Sequence, residues 1–155
     1  MINSLRRAFL HATCRAGLSA LMVSLGLRSA LSWAAESRPA FESQTLDDVF
    51  KTLGISHPRQ STDITFKAPE IAENGAVVPL EVESHLPQTR SIIVVVEKNS
   101  HVLTADFSIP EGTERFIATR VKVAESSNVH AIVKTDAGVF YATKLVKVTI
   151  GGCGG

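Results

Sequence analysis

The residue best placed to do chemistry is Cys153, in the run Gly151-Gly152-Cys153-Gly154-Gly155. Four glycines leave the backbone almost unrestricted and remove every side chain except the sulfur. The three residues from Ile150 to Cys153 extend over roughly 10 Å, at about 3.3–3.6 Å per residue. The thiol can therefore stand clear of a folded body and enter a narrow pocket on another protein, as a swinging carrier arm would. Nothing nearby activates it: residues 149–155 hold no Lys, Arg or His. A thiol with its ordinary pKa of about 8.5 is only a few per cent thiolate near pH 7, so its activation must come from partners. Two other readings of the tail remain open. It can anchor an intermolecular disulfide, or be an end with an incidental cysteine.

No other residues announce catalysis. His57, His85, His101 and His130 have no metal-ligand spacing, and each reads as a solvated or hydrogen-bonded histidine near a loop or strand edge. Glu81 with Glu83, and Glu111 with Glu114, read as exposed charges. Ser126 and Ser127 lack the strand-turn-helix setting of a nucleophile elbow. Neither zinc spacing nor a phosphate-loop glycine pattern occurs, so no catalytic residue, metal site or cofactor is expected. The chain carries 16 basic and 15 acidic residues over its 155 positions, without the basic excess of a nucleic-acid binder. Its two cysteines, Cys14 and Cys153, cannot build a disulfide scaffold.

The charge is unevenly placed. Residues 1–34 hold Arg6, Arg7, Arg15 and Arg28 and no acid. A basic start, an apolar stretch from Ala16 to Leu27, and small residues around Ser32-Trp33-Ala34 form the layout of an export signal. The apolar stretch is too short and interrupted for a membrane span. Arg6-Arg7-Ala8-Phe9-Leu10 fits the twin-arginine type, an address read by a translocase that carries folded proteins. Cys14 lies before the apolar stretch and follows His11-Ala12-Thr13, which is wrong for lipid attachment. Cleavage near Ala34 removes four of the 16 basic residues and no acid, and leaves Cys153 as the lone cysteine of an exported protein. Such a cysteine is either paired between molecules or kept free for use.

The body must position that tail. Residues 35–44 are polar, contain Pro39, and read as a linker. Thr45 can cap a helix whose Asp47 and Asp48 suit the positive end of its dipole. Leu46, Val49, Phe50 and Leu53 share one helical face, and Gly54 is a natural stop. This short helix is expected to pack on its own sheet. From Thr62 the period becomes two, as in half-buried strands. Ile64, Phe66 and Ala68 share a face; so do Val78, Leu80 and Val82. Leu103, Ala105, Phe107 and Ile109 share another, as do Ile117, Thr119, Val121 and Val123. Phe140, Ala142, Val146, Val148 and Ile150 form a face broken only by Lys144. Ser91 to Val96 is apolar on both faces, as a central strand must be, and Val129 to Lys134 reads as another short strand. Turn residues separate them at Glu73-Asn74-Gly75, Lys98-Asn99-Ser100, Pro110-Glu111-Gly112, Ser126-Ser127-Asn128 and Asp136-Ala137-Gly138. About seven strands over this length predict an all-β, immunoglobulin-like sandwich without the usual inter-sheet disulfide. The organisation expected is 1–34 signal, 35–150 sandwich with its N-terminal helix, and 151–155 arm.

The twin-arginine signal, the short helix, a β-rich body containing Ile71-Ala72-Glu73-Asn74-Gly75-Ala76-Val77-Val78-Pro79, and the terminal Gly-Gly-Cys-Gly-Gly together resemble the SoxY family. These are the sulfur-carrier subunits of periplasmic thiosulfate-oxidising (Sox) systems. The resemblance covers essentially the whole chain. It implies covalent sulfur attachment at Cys153, with Gly151, Gly152, Gly154 and Gly155 as the arm. It implies a heterodimer with SoxZ, exported as a folded pair. It implies docking to the haem-containing SoxAX, the di-metal hydrolase SoxB and, where present, the dehydrogenase SoxCD, and disulfide-linked dimers of heterodimers through the arm. The carrier would be a tethered substrate, not an enzyme. A rival reading keeps an exported structural module dimerised through Cys153. A thiol oxidoreductase would want a second cysteine or a lowered thiol pKa, and the chain after residue 34 has neither signature.

Overall fold

The computed structural model describes residues 38–149. Arg6, Arg7, the cleavage region near Ala34, and the tail 150–155 with Cys153 lie outside the described residues. Among the described residues no helix is long and apolar enough to cross a membrane.

Two sheets face each other. Among the described residues nine strands run in chain order: β1 (Arg59–Gln60), β2 (Ile64–Lys67), β3 (Ile71–Ala72), β4 (Val78–Ser84), β5 (Thr89–Val96), β6 (Leu103–Ser108), β7 (Phe116–Val121), β8 (Ser127–Thr135) and β9 (Gly138–Val148). The first sheet has the order β1-β9-β8-β5-β6, with β3 also on β9; the second is β2-β4-β7. Strands β5 and β8 are neighbours although β6 and β7 lie between them in sequence, which is the Greek-key signature of the immunoglobulin-like sandwich. Pairing is antiparallel throughout, except that β1 and β3 run parallel to β9. These two short strands are the excess over the expected seven. Two residues are too few to show a period; each adds one side-chain contact to its backbone pairing, Arg59 stacking 4.7 Å over the Phe140 ring and Ala72 entering the core.

The alternation is explained by what each face meets. In β4, Val78, Leu80 and Val82 are buried while Pro79, Glu81 and Glu83 are exposed. Strand β5 is apolar on both faces because both are covered. Ile92, Val94 and Val96 enter the inter-sheet core with Val129, Ala131, Val133 and Val146. Ile93 and Val95 face outward, and join Leu103, Ile132 and the helix in a second core.

That helix is α1 (Leu46–Thr52). Thr45 Oγ1 accepts from the Asp48 amide at 3.1 Å and donates to Asp48 Oδ2 at 2.7 Å. Val49 is fully buried, and Leu46, Phe50 and Leu53 pack on the same core. Seven residues would not hold a helix alone in water, so the sheet beneath sustains it. Lys134 Nζ donates to the Leu53 carbonyl at 2.7 Å, and Gly54 takes the left-handed φ of +63° that ends the helix. The stretch expected as a linker is docked from residue 38 on. Pro39–Glu42 forms a 3-10 turn, Ala40 is buried, and Val102 donates its amide to the Ser43 carbonyl at 3.0 Å. Strand β8 also starts earlier than the expected Val129, taking in Ser127 and Asn128 from the assigned turn.

Candidate functional site

Strand β9 leads toward the Gly-Gly-Cys-Gly-Gly tail, and its last residues are held from both sides. On one side, Lys147 donates its amide to the Glu70 carbonyl at 2.9 Å, and Thr149 donates to the Ala72 carbonyl at 3.2 Å. On the other, the Val148 amide donates to Ser126 Oγ at 2.9 Å, and the Ser126 hydroxyl lies 3.4 Å from the Val148 carbonyl. The chain is thus in fixed register through Thr149. Cys153 comes four residues later, so its distance from that anchor cannot exceed about 14 Å.

The turn after β3 completes this root. Asn74 Oδ1 accepts from the Ala76 amide at 2.9 Å, the side-chain turn for which Asn is suited. The Gly75 carbonyl accepts from Val123 at 2.7 Å. A Cβ on Gly75 would press into the Val123 carbonyl oxygen and stand 2.9 Å from Val148 Cγ1. Glycine is required here by close approach. Asn99 ties the neighbouring loop, accepting from the Ala124 amide at 2.9 Å and donating to the Lys122 carbonyl at 2.8 Å.

The opposite end of the sandwich is built differently. Arg90 Nε and Nη2 donate to the two Asp136 oxygens at 2.8 and 2.7 Å. This hydrogen-bonded guanidinium holds the Asp136 carboxyl below the usual carboxylate range. Away from this end, midway along β6 and opposite Ile93, Asp106 is shifted the other way. Partial loss of water pushes it up although its side chain remains at the surface, against the pull of Lys134 and Arg38. An open cleft of about 750 Å³ lies at the Arg90–Asp136 end, lined by Ser84, Thr89, Arg90, Arg115 and Phe116 among others. Strand β9 begins here and spans about 33 Å to its far end, at about 3.3 Å per residue. The cleft is therefore beyond the reach of Cys153.

The histidines do not converge. His57 and His101 are exposed loop residues, and His85 bonds Thr65 Oγ1 at 2.9 Å. His130 is inside β8 rather than at an edge, its ring fixed 2.8 Å from Thr143 Oγ1 and 2.6 Å from Glu97 Oε1. Among the described residues no three potential metal ligands cluster. Glu81 pairs with Lys67 at 3.0 Å on the surface.

The family described as "Sulfur oxidation protein SoxY" matches residues 50–153. The chain belongs to the SoxY family. The solved structure of the sulfur carrier protein SoxY from Chlorobium limicola f thiosulfatophilum is similar, at 33% identity and a TM-score of 0.60, over 67% of this chain and 94% of that one. No curated protein matches. The SoxY match runs from α1 to residue 153, which is the cysteine. It takes in the whole root: Asn74, Gly75, Val123, Ser126 and Val148. Sequence reasoning missed Ser126, taken as a turn residue. It saw Asn74-Gly75 as a turn and as part of the SoxY resemblance, without its contact to β9. The one signal for that contact was a turn-forming Asn-Gly pair directly after a two-residue strand.

Proposed function

We propose that this SoxY-family protein carries sulfur covalently on Cys153 during thiosulfate oxidation. The observation that carries the reading is a family match that ends on Cys153, just beyond a strand pinned through Thr149. In the first step the Cys153 thiol and thiosulfate lose two electrons and one proton, and a sulfur–sulfur bond forms to give the S-thiosulfonate. A haem partner, SoxAX, takes the electrons. In the second step SoxB adds water across the bond to the terminal sulfone; sulfate and a proton leave, and a persulfide remains on Cys153. SoxCD, where present, oxidises that sulfane sulfur. Mixed disulfides between arms belong to the same exchange chemistry.

The geometry supports a passive role for the body. Cys153 cannot reach the cleft at the far end, and its thiol must be served by other proteins. Gly151, Gly152, Gly154 and Gly155 keep the approach narrow. SoxZ would pair with this chain as the second sandwich, and among the described residues β6 is an edge strand of the kind such pairing uses. Arg6 and Arg7 support export by the twin-arginine route to the periplasm, with cleavage near Ala34.

The test is the intact, non-reduced mass of protein taken from the periplasm of thiosulfate-fed cells, repeated after reduction. A reductant-labile thiosulfonate or sulfur adduct mapping to Cys153 is expected. Cys153→Ser should abolish thiosulfate-dependent electron transfer in a reconstituted system. Undiminished transfer by that variant, or a disulfide dimer as the sole modified form, would sink the carrier reading.

A further inference from the structure

Strand pairing puts two exposed apolar side chains at the arm's root. Ile71 on β3 lies opposite Lys147 on β9, and Leu145 precedes Lys147 by two residues, on the same face. Ile71 is 60% exposed and Leu145 53%. Their neighbours Ala72 and Val146 turn into the core, so the fold gains little from apolar residues at 71 and 145. Helix α1 covers Ile93, Val95 and Ile132 on this outer face, while Leu145 and Ile71 are left open.

The length of chain beyond the structure says what must cover them. The anchor is fixed at Thr149 and Cys153 is at most about 14 Å away. A recessed active site can receive that thiol only if its rim comes down on the root. Every enzyme that handles Cys153 must therefore meet the surface around β3 and the end of β9. We infer that Ile71 and Leu145, flanking Lys147, form the landing surface for the thiosulfate-conjugating enzyme, and that this enzyme presents an apolar rim around its entrance. The inference rests on the carrier reading of Cys153. Two apolar side chains with a lysine between them on one face make a small patch, suited to a carrier that must leave one enzyme for the next.

The test uses the full chain with whatever subunit co-purifies. Ile71→Thr, Leu145→Thr and the double variant keep strand propensity on an exposed face. Phe116→Ser, also exposed but on the second sheet beside the far cleft, is the control. The carrier is varied in the thiosulfate-conjugating reaction, and iodoacetamide alkylation of Cys153 is followed separately. The double variant should raise KM about tenfold, the loss of roughly one modest hot spot, with kcat and alkylation unchanged. The Thr single variants should fall between, Ile71→Val should restore the wild-type KM, and Phe116→Ser should match wild type. An unchanged KM in the double variant, while wild type is loaded normally, would overturn the inference and leave the carrier reading intact. So would an equal rise in Phe116→Ser, or loss of the co-purifying subunit or of self-association, which would make the patch a subunit interface. If the wild type takes up no thiosulfate on Cys153, the carrier reading fails and this inference with it.

Discussion

The two ends of the sandwich are tied by different forces. Around the end of β9 the bonds that hold the strand and its neighbouring turn are neutral: backbone to backbone at Lys147, Thr149 and Val123, and a serine hydroxyl at Val148; the ion pair nearby, Lys98–Glu125, is long at 3.8 Å and exposed. At the cleft end an exposed ion pair, Arg90–Asp136, closes the structure, and Arg115 reaches the Leu86 carbonyl at 2.8 Å. Neutral bonds do not titrate, and salt screens them little. The proposed carrier role, in which the thiol leaves from one fixed place, needs a root insensitive to both. The charged end has no such demand and can vary with pH and ionic strength.

The sharpest way to break this contrast is Gly75→Ala. The added methyl meets backbone at Val123 and the packed Val148 side chain, so one of them must move. A loss of about 2–3 kcal/mol is expected, as for overpacking of a tight site. Urea unfolding measures it, and amide exchange at Val148 and Thr149 should quicken more than at β4. A midpoint equal to wild type would mean that the root has slack.

Ser126→Ala is the milder cut. It removes one hydrogen bond to the Val148 amide at an exposed position, where water can substitute. About 0.5–1 kcal/mol is expected. Faster exchange at Val148, with β4 amides unchanged, would separate a local opening from global loss; equal quickening everywhere would argue against a local clamp.

These two residues also mark where sequence reading stopped. The sandwich, α1 and the doubly covered β5 were legible because burial imposes a period on side chains. Val78-Leu80-Val82 and Ile92-to-Val96 could hardly mean anything else. The root was not legible. Strand β3 is two residues long, Ser126 acts through a backbone amide, and Gly75 acts through the absence of a Cβ. None leaves a periodic trace. His130 was misplaced for a related reason: one polar residue in an apolar run looks like an edge, whereas here Thr143 and Glu97 satisfy its ring on the outer face of β8. Exposed Ile71 and Leu145 gave no warning, because alternation alone does not say which face meets a partner.

At the charged end, Asp136→Asn should bring out pH dependence. Asp136 is held below its unfolded pKa by Arg90, so its contribution is present above the ordinary carboxylate range. It is lost as pH falls through the folded value. The wild type should therefore melt above Asp136→Asn near neutrality, and the two should converge in acid and in high salt. The pair is exposed, so the gap will be small. A gap that persists in acid would assign the effect to packing instead of charge.

Asp106→Asn should give the smallest effect, of opposite sign. Desolvation raises this carboxyl, outweighing the attraction of Lys134 and Arg38. The folded state then holds its proton more tightly than the unfolded chain, so ionisation at neutral pH costs stability. Replacing the charge should raise the melting temperature slightly at pH 7. The gain should shrink as pH falls below the carboxylate range, where the wild type sheds the same charge by protonation. Melting curves of both proteins across pH decide it. A lower melting temperature for Asp106→Asn at pH 7 would mean that the attraction of Lys134 and Arg38 wins. Asp106 would then be a stabilising charge as Asp136 is, which sharpens the contrast with the neutral root.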